Sequence, residues 1–146
     1  MFDEVCRTVD ARGNDVAFAT IESSMYKRKR TAMPSLPTDP CDTDAAITCS
    51  RFASLGDAPF HRGSVNTGDG DTALIFASNG LLELLRSCRL VYVDATFRVA
   101  PSLFYQLFTV FVQHTYHSLP VMYALMTRKT TAPYQGVFEK LHALIQ

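Results

Sequence analysis

Asp94 lies within an apolar run, Leu90-Val-Tyr-Val-Asp-Ala-Thr-Phe-Arg-Val99. At the two-residue period of a strand, Val91, Val93, Ala95, Phe97 and Val99 share one face, while Tyr92, Asp94, Thr96 and Arg98 share the other. A carboxylate on such a face has two chemical uses. It can pair with Arg98 two positions along, or it can join further acids in holding divalent ions for phosphodiester chemistry. The second equipped stretch is Lys27-Arg28-Lys29-Arg30. Four consecutive basic side chains suit phosphate contact or a nuclear-import signal, and equally a solvated helix end favoured by the macrodipole. Tyr26 beside them either stacks on a base or belongs to the helix's apolar stripe.

Other groupings carry less chemistry. His114 and His117 flank a short connection, and Cys41, Cys49 and His61 are spread too widely for the closed four-ligand spacing of a zinc site. Asp69-Gly70-Asp71 lacks the remaining ligands of a calcium loop, so a turn accounts for it. The sequence has no glycine-rich phosphate loop and no nucleophile elbow.

The 146 residues are 47% hydrophobic and 11% aromatic, enough for one globular core. Lys plus Arg equals Asp plus Glu at 14 each, so binding to nucleic acid would rest on local patches. Cys6, Cys41, Cys49 and Cys88 show no paired short spacing, and no signal-peptide pattern opens the chain, which leads us to expect a reducing, intracellular setting. The apolar stretches from Phe104 to Val112 and from Leu119 to Met126 fall short of the roughly 20 residues a spanning helix needs, so no membrane insertion is expected.

The elements that would position these residues follow from periodicity. Phe2, Val5, Cys6 and Val9, then Phe18, Ile21 and Met25, recur at helical spacing and predict a helical region over residues 1–30. Pro34, Pro37 and Pro40 among Ser, Thr and Asp predict a linker or loop over 31–60. A turn is expected between His61-Arg62-Gly63 and Gly68-Asp69-Gly70, then a strand at Thr72–Ala77. A helix capped by Ser78 or Asn79 follows, with Leu81, Leu82, Leu84 and Leu85 as its stripe. Leu90–Val99, Phe104–His114 and Leu119–Thr127 predict three strands whose short connections make an antiparallel meander of order 3-2-1. The middle strand is apolar on both faces, and Pro120 puts the third at a sheet edge. Thr130 or Thr131 caps a last helix, with Pro133 in its first turn and Tyr134, Val137, Phe138 and Leu141 facing the meander.

Tyr92-Val-Asp-Ala-Thr-Phe-Arg98, then Leu103-Phe-Tyr-Gln-Leu-Phe108, then Leu119-Pro-Val-Met-Tyr-Ala-Leu125 with Lys129-Thr130 before the last helix, is an ordered set of motifs. It resembles the start of a MULE-type (Mutator-like) transposase domain over residues 90–145. Upstream, Glu22–Arg30 and Phe60–Gly63 are similar to the region preceding that domain in transposon-derived proteins.

The resemblance implies an α/β, partial ribonuclease-H-like domain over residues 61–146, with Asp94 as the first of three metal-binding acids, a Mg2+ or Mn2+ cofactor, a nuclear location, and DNA cleavage and strand transfer as the ancestral activity. It also places the second and third acids beyond Gln146. The expectation is therefore an incomplete domain that is not catalytic alone and holds no ion stably. The alternatives are a non-catalytic DNA- or protein-binding module, or a longer polypeptide of which this is a part. DNA through Lys27, Arg28, Lys29 and Arg30, and a protein or a second copy through the unpaired edge of the Asp94 strand, are the expected partners.

Overall fold

The computed structural model describes residues 25–28, 30–31 and 37–146. The chain divides into two units, Met1–Leu36 and Pro37–Gln146. In the first, residues 25–28 and 30–31 are helical. The remainder of the helical region expected over 1–30 lies outside the described residues.

The second unit is mixed α/β and opens on structure where a linker is expected. Helix α1 (Pro40–Thr48) is followed by a 3-10 turn at Arg51–Ala53 and by a two-stranded ribbon of β1 (Ser54–Leu55) and β2 (Ala58–Pro59). The proline spacing misleads because Pro40 occupies the first turn of α1, where its missing N–H costs nothing. Asp39 caps that turn by accepting from the amide of Asp42 at 2.8 Å, and this bond holds its carboxyl below the usual carboxylate range.

Residues expected to flank a turn form β3 (His61–Asn66), which pairs with β4 (Thr72–Phe76) in an antiparallel hairpin. Gly63 accommodates a register shift between His61 and Ser64 with a φ of +85, a conformation that favours glycine. The chain continues through α2 (Asn79–Ser87), β5 (Val91–Thr96), β6 (Gln106–His114), β7 (His117–Met126) and α3 (Thr131–Ile145). Ser78 caps α2 through the amide of Leu81, and Leu82 and Leu85 are its buried residues.

The main sheet has the order β3-β4-β7-β6-β5, and all of its pairs are antiparallel. β7 is therefore interior, not the edge that Pro120 suggests. The proline sits outside the stretch of β7 that pairs with β4, which covers Tyr123 to Met126, and beside a register shift against β6. Its missing N–H is thus lost where no β4 ladder exists to need it.

Register assigns the faces. Ala73 and Ile75 of β4, Met122, Ala124 and Met126 of β7, and Phe108, Val110 and Val112 of β6 line one face with α2 and α3 in a single core. α3 spans this face from β3 to β6: a side chain on Gly136 would clash with Val65 Cγ1, and Tyr134 and Phe138 set their rings edge-on to Phe108. The helix thus reaches beyond the meander onto the β3–β4 hairpin.

Candidate functional site

β5 positions Asp94 on the face turned away from α2 and α3, between Tyr92 and Thr96 and in register with Thr109 of β6, which in turn faces Tyr123 of β7. The carboxylate is exposed, and its Oδ2 accepts from Thr96 Oγ1 at 3.0 Å. Pairing with Arg98 does not occur. The strand ends at Thr96, and the chain turns so that Phe97 packs edge-on against Tyr105, with 5.4 Å between ring centroids. Arg98 accordingly leaves the face that strand periodicity assigns to it.

The expected core face of β5 is largely uncovered. Val91 and Val93 are 44% and 53% exposed, and Phe97 and Val99 stand in solvent rather than in the core. Between this face and α3 runs an open groove of about 370 Å³, lined by Val93, Ala95, Phe108, Tyr134 and Phe138 with Asp94 at its border.

A two-ion centre needs several carboxylates converging on one point. Asp94 has a threonine hydroxyl as its hydrogen-bond partner, and its cross-strand neighbour is Thr109 rather than an acid. The described residues contain no group of three His, Cys, Asp or Glu side chains able to hold a metal ion. These residues do not by themselves fit a Mg2+ or Mn2+ cage, and no catalytic step is derived through one. His114 and His117 are exposed and face each other across the two-residue turn of β6 and β7, Cys41 and Cys49 lie exposed on and beside α1, and His61 is turned inward.

In the first unit Lys27, Arg28 and Arg30 are exposed, Lys29 lies outside the described residues, and Tyr26 is 64% exposed. No helix among the described residues is long and apolar enough to cross a membrane.

Three buried polar constellations escape the sequence reading. Gln106 is fully buried; its amide donates to Tyr134 Oη at 2.8 Å and to Met126 Sδ at 3.2 Å. The signal for it was present: one amide in the apolar row of Phe108, Val110 and Val112 requires a partner. Asp71, 6% exposed, accepts from Thr130 Oγ1 at 3.0 Å and pairs with Arg128 Nε at 3.3 Å, clasping the connection from β7 to α3. Thr130 therefore holds the capping position without capping, its hydroxyl being used on Asp71.

Asp44 of α1 accepts from Ser64 Oγ at 2.9 Å and stands 3.0 Å from His61 Nε2, although that pair is out of hydrogen-bond alignment and leaves both atoms without a partner along it. The His61 ring reaches Thr48 Oγ1 at 3.3 Å, and burial, outweighing Asp44, holds its pKa below the ordinary 6.5. A stretch read as linker gives no reason to seek partners for Asp44.

Compared with protein-family profiles, curated proteins and solved structures, the chain matches none.

Proposed function

We propose that residues 90–145 are the opening part of a ribonuclease-H-like domain of the MULE transposase kind, and that the chain is transposon-derived, with Asp94 the first of the metal-binding acids. The observation that carries this reading is the placement of Asp94. It is the one carboxylate of β5, exposed on the face opposite α3, in the first strand of an antiparallel unit β5-β6-β7 that leads into that helix. A carboxylate there is open to a phosphodiester and to further ligands. β3 and β4 extend the sheet past the segment that carries the resemblance.

In this reading Asp94 would be one ligand of an acidic set that holds Mg2+ or Mn2+, and the bound metal would supply Lewis-acid activation for DNA cleavage and strand transfer. The 146-residue chain supplies Asp94 to that set and has no cleavage activity of its own. The second reading, a DNA-binding module without catalysis, is favoured by the exposure of Lys27, Arg28 and Arg30.

One experiment addresses both. Supercoiled plasmid is incubated with the purified chain and Mg2+ or Mn2+, and is scored for nicking and for retardation across a salt series. No nicking is expected. Nicking that disappears in Asp94→Asn would show the chain to be catalytic by itself. Retardation that weakens with salt, and that is reduced when Lys27, Arg28 and Arg30 are neutralised, supports the binding module. Nicking that persists in Asp94→Asn removes the metal-ligand role assigned to Asp94.

A further inference from the structure

The two edges of the main sheet are unlike. β3 carries its register shift and has α1 packed against it, whereas β5 is a straight six-residue strand with large apolar side chains about half exposed. Unpaired edges of the second kind invite another strand. What could fill this one follows from backbone direction, side-chain order and charge, independently of the transposase reading.

The direction comes from one hydrogen bond. Gln113 N–H donates to the carbonyl of Leu90 at 3.3 Å, one step beyond the Val91 and Val112 register pair. Residues of an antiparallel strand alternate between exchanging bonds with one neighbour and turning away from it. Leu90, Tyr92, Asp94 and Thr96 therefore direct their amides and carbonyls toward β6. Val91, Val93 and Ala95 direct theirs to the outer edge, which no strand pairs among the described residues.

We infer that the β5 edge is a self-association surface, pairing antiparallel with β5 of a second copy about a two-fold axis at Val93. In that register Val93 faces Val93 of the second copy, and Val91 faces its Ala95, so all the outward groups of the strand meet their equivalents and each pair exchanges hydrogen bonds. On the α3 face, the small Ala95 leaves the neighbouring groove open for Val91 of the second copy, which enters between Phe108, Tyr134 and Phe138. Symmetry fills the second groove in the same way.

On the other face Tyr92 stands opposite Asp94 of the second copy, a neutral aromatic beside each carboxylate. Moving the axis to Asp94 would oppose two carboxylates directly, which is unfavourable. Moving it to Tyr92 would draw in Arg89 and Leu90, which lie outside the strand, and would set Asp94 against Leu90. The Val93 register is the one in which strand length, groove and charge agree. A single short strand and two grooves make less than a standard interface, so association in roughly the micromolar range is expected.

Sedimentation equilibrium of the 146-residue chain over a concentration series tests this. A reversible monomer–dimer equilibrium is expected, with the amides of Val91, Val93 and Ala95 gaining protection from hydrogen exchange as concentration rises. Tyr92→Asp opposes like charges twice by symmetry and should weaken the dimer roughly tenfold. Adding Asp94→Lys to Tyr92→Asp should restore it, since each introduced acid then faces an introduced base. Val93→Lys, at an exposed position, should abolish association while leaving the urea midpoint of the monomer nearly unchanged. A chain that stays monomeric throughout, as when the edge is reserved for some other strand, overturns the inference. So does a dimer indifferent to Tyr92→Asp, or one that the paired substitution fails to rescue.

Discussion

Gln106 and Tyr134 illustrate how a polar pair can specify the docking of a helix on a sheet. Gln106 lies within the apolar face of β6, fully buried, and the residue on α3 able to satisfy its amide is Tyr134, which also donates to Gln106 Oε1 at 3.2 Å. A helix docked one residue out of place would leave that buried amide with only the weak sulfur acceptor of Met126. Leaving a buried polar group unsatisfied costs about 1–3 kcal/mol, whereas replacing both members of a pair by apolar groups of similar shape costs much less. Tyr134→Phe should therefore lower stability by about 1–3 kcal/mol, and adding Gln106→Leu should recover part of the loss although it is a second core substitution. Urea midpoints for the two single variants and the double variant check this. Losses that simply add would show that the two side chains do not depend on each other. The same logic limits Asp94, an exposed carboxylate with a threonine hydroxyl for company, which carries chemistry only in combination with other acids.

Among elements, α3 and β3 meet at Gly136, where an added Cβ would run into Val65. Alanine would favour the helix by about 1 kcal/mol through propensity. The added methyl would nevertheless clash with Val65 Cγ1, and overpacking of this kind costs about 1–3 kcal/mol. Gly136→Ala is thus expected to destabilise on balance, and Gly136→Ala with Val65→Ala to give some of the loss back, as thermal unfolding would show; a stabilised Gly136→Ala would mean that the helix stands farther off. β4 to β7, α2 and α3 were legible because their apolar patterns are strong, whereas the short β1 and β2 and the glycine-broken β3 carry no such pattern. Pro120 of β7 and Pro40 of α1 misled because proline reports only a missing donor and a fixed φ, and both are harmless where no neighbouring ladder needs the N–H or in a helix's first turn. Asp94 was legible as a decorated position. The failure of its pairing with Arg98 was not, because strand β5 ends where Phe97 leaves for Tyr105, a contact across the β5–β6 connection that strand periodicity does not encode.

At the scale of the Pro37–Gln146 unit, α1 packs on the sheet at β3 and β4, and that contact has a titratable group inside it. α1 is held against β3 through Asp44, Thr48, His61 and Ser64, with the His61 ring 5.2 Å from that of Phe76 and 3% of its side chain exposed. Burial pushes the His61 pKa below 6.5, with Lys140 acting in the same direction and Asp44 against it. A depressed folded-state pKa means that the unfolded chain binds the proton more readily, so stability is fully present above pH 6.5 and is lost as pH falls below that value. Acidification from pH 7.5 to 5.5 should therefore lower the urea midpoint, and amides of α1 should gain exchange before those of β6 and β7. His61→Gln should flatten that dependence. A midpoint that rises on acidification would show that Asp44, not burial, governs the ring, and His61 would then clamp α1 more tightly in acid.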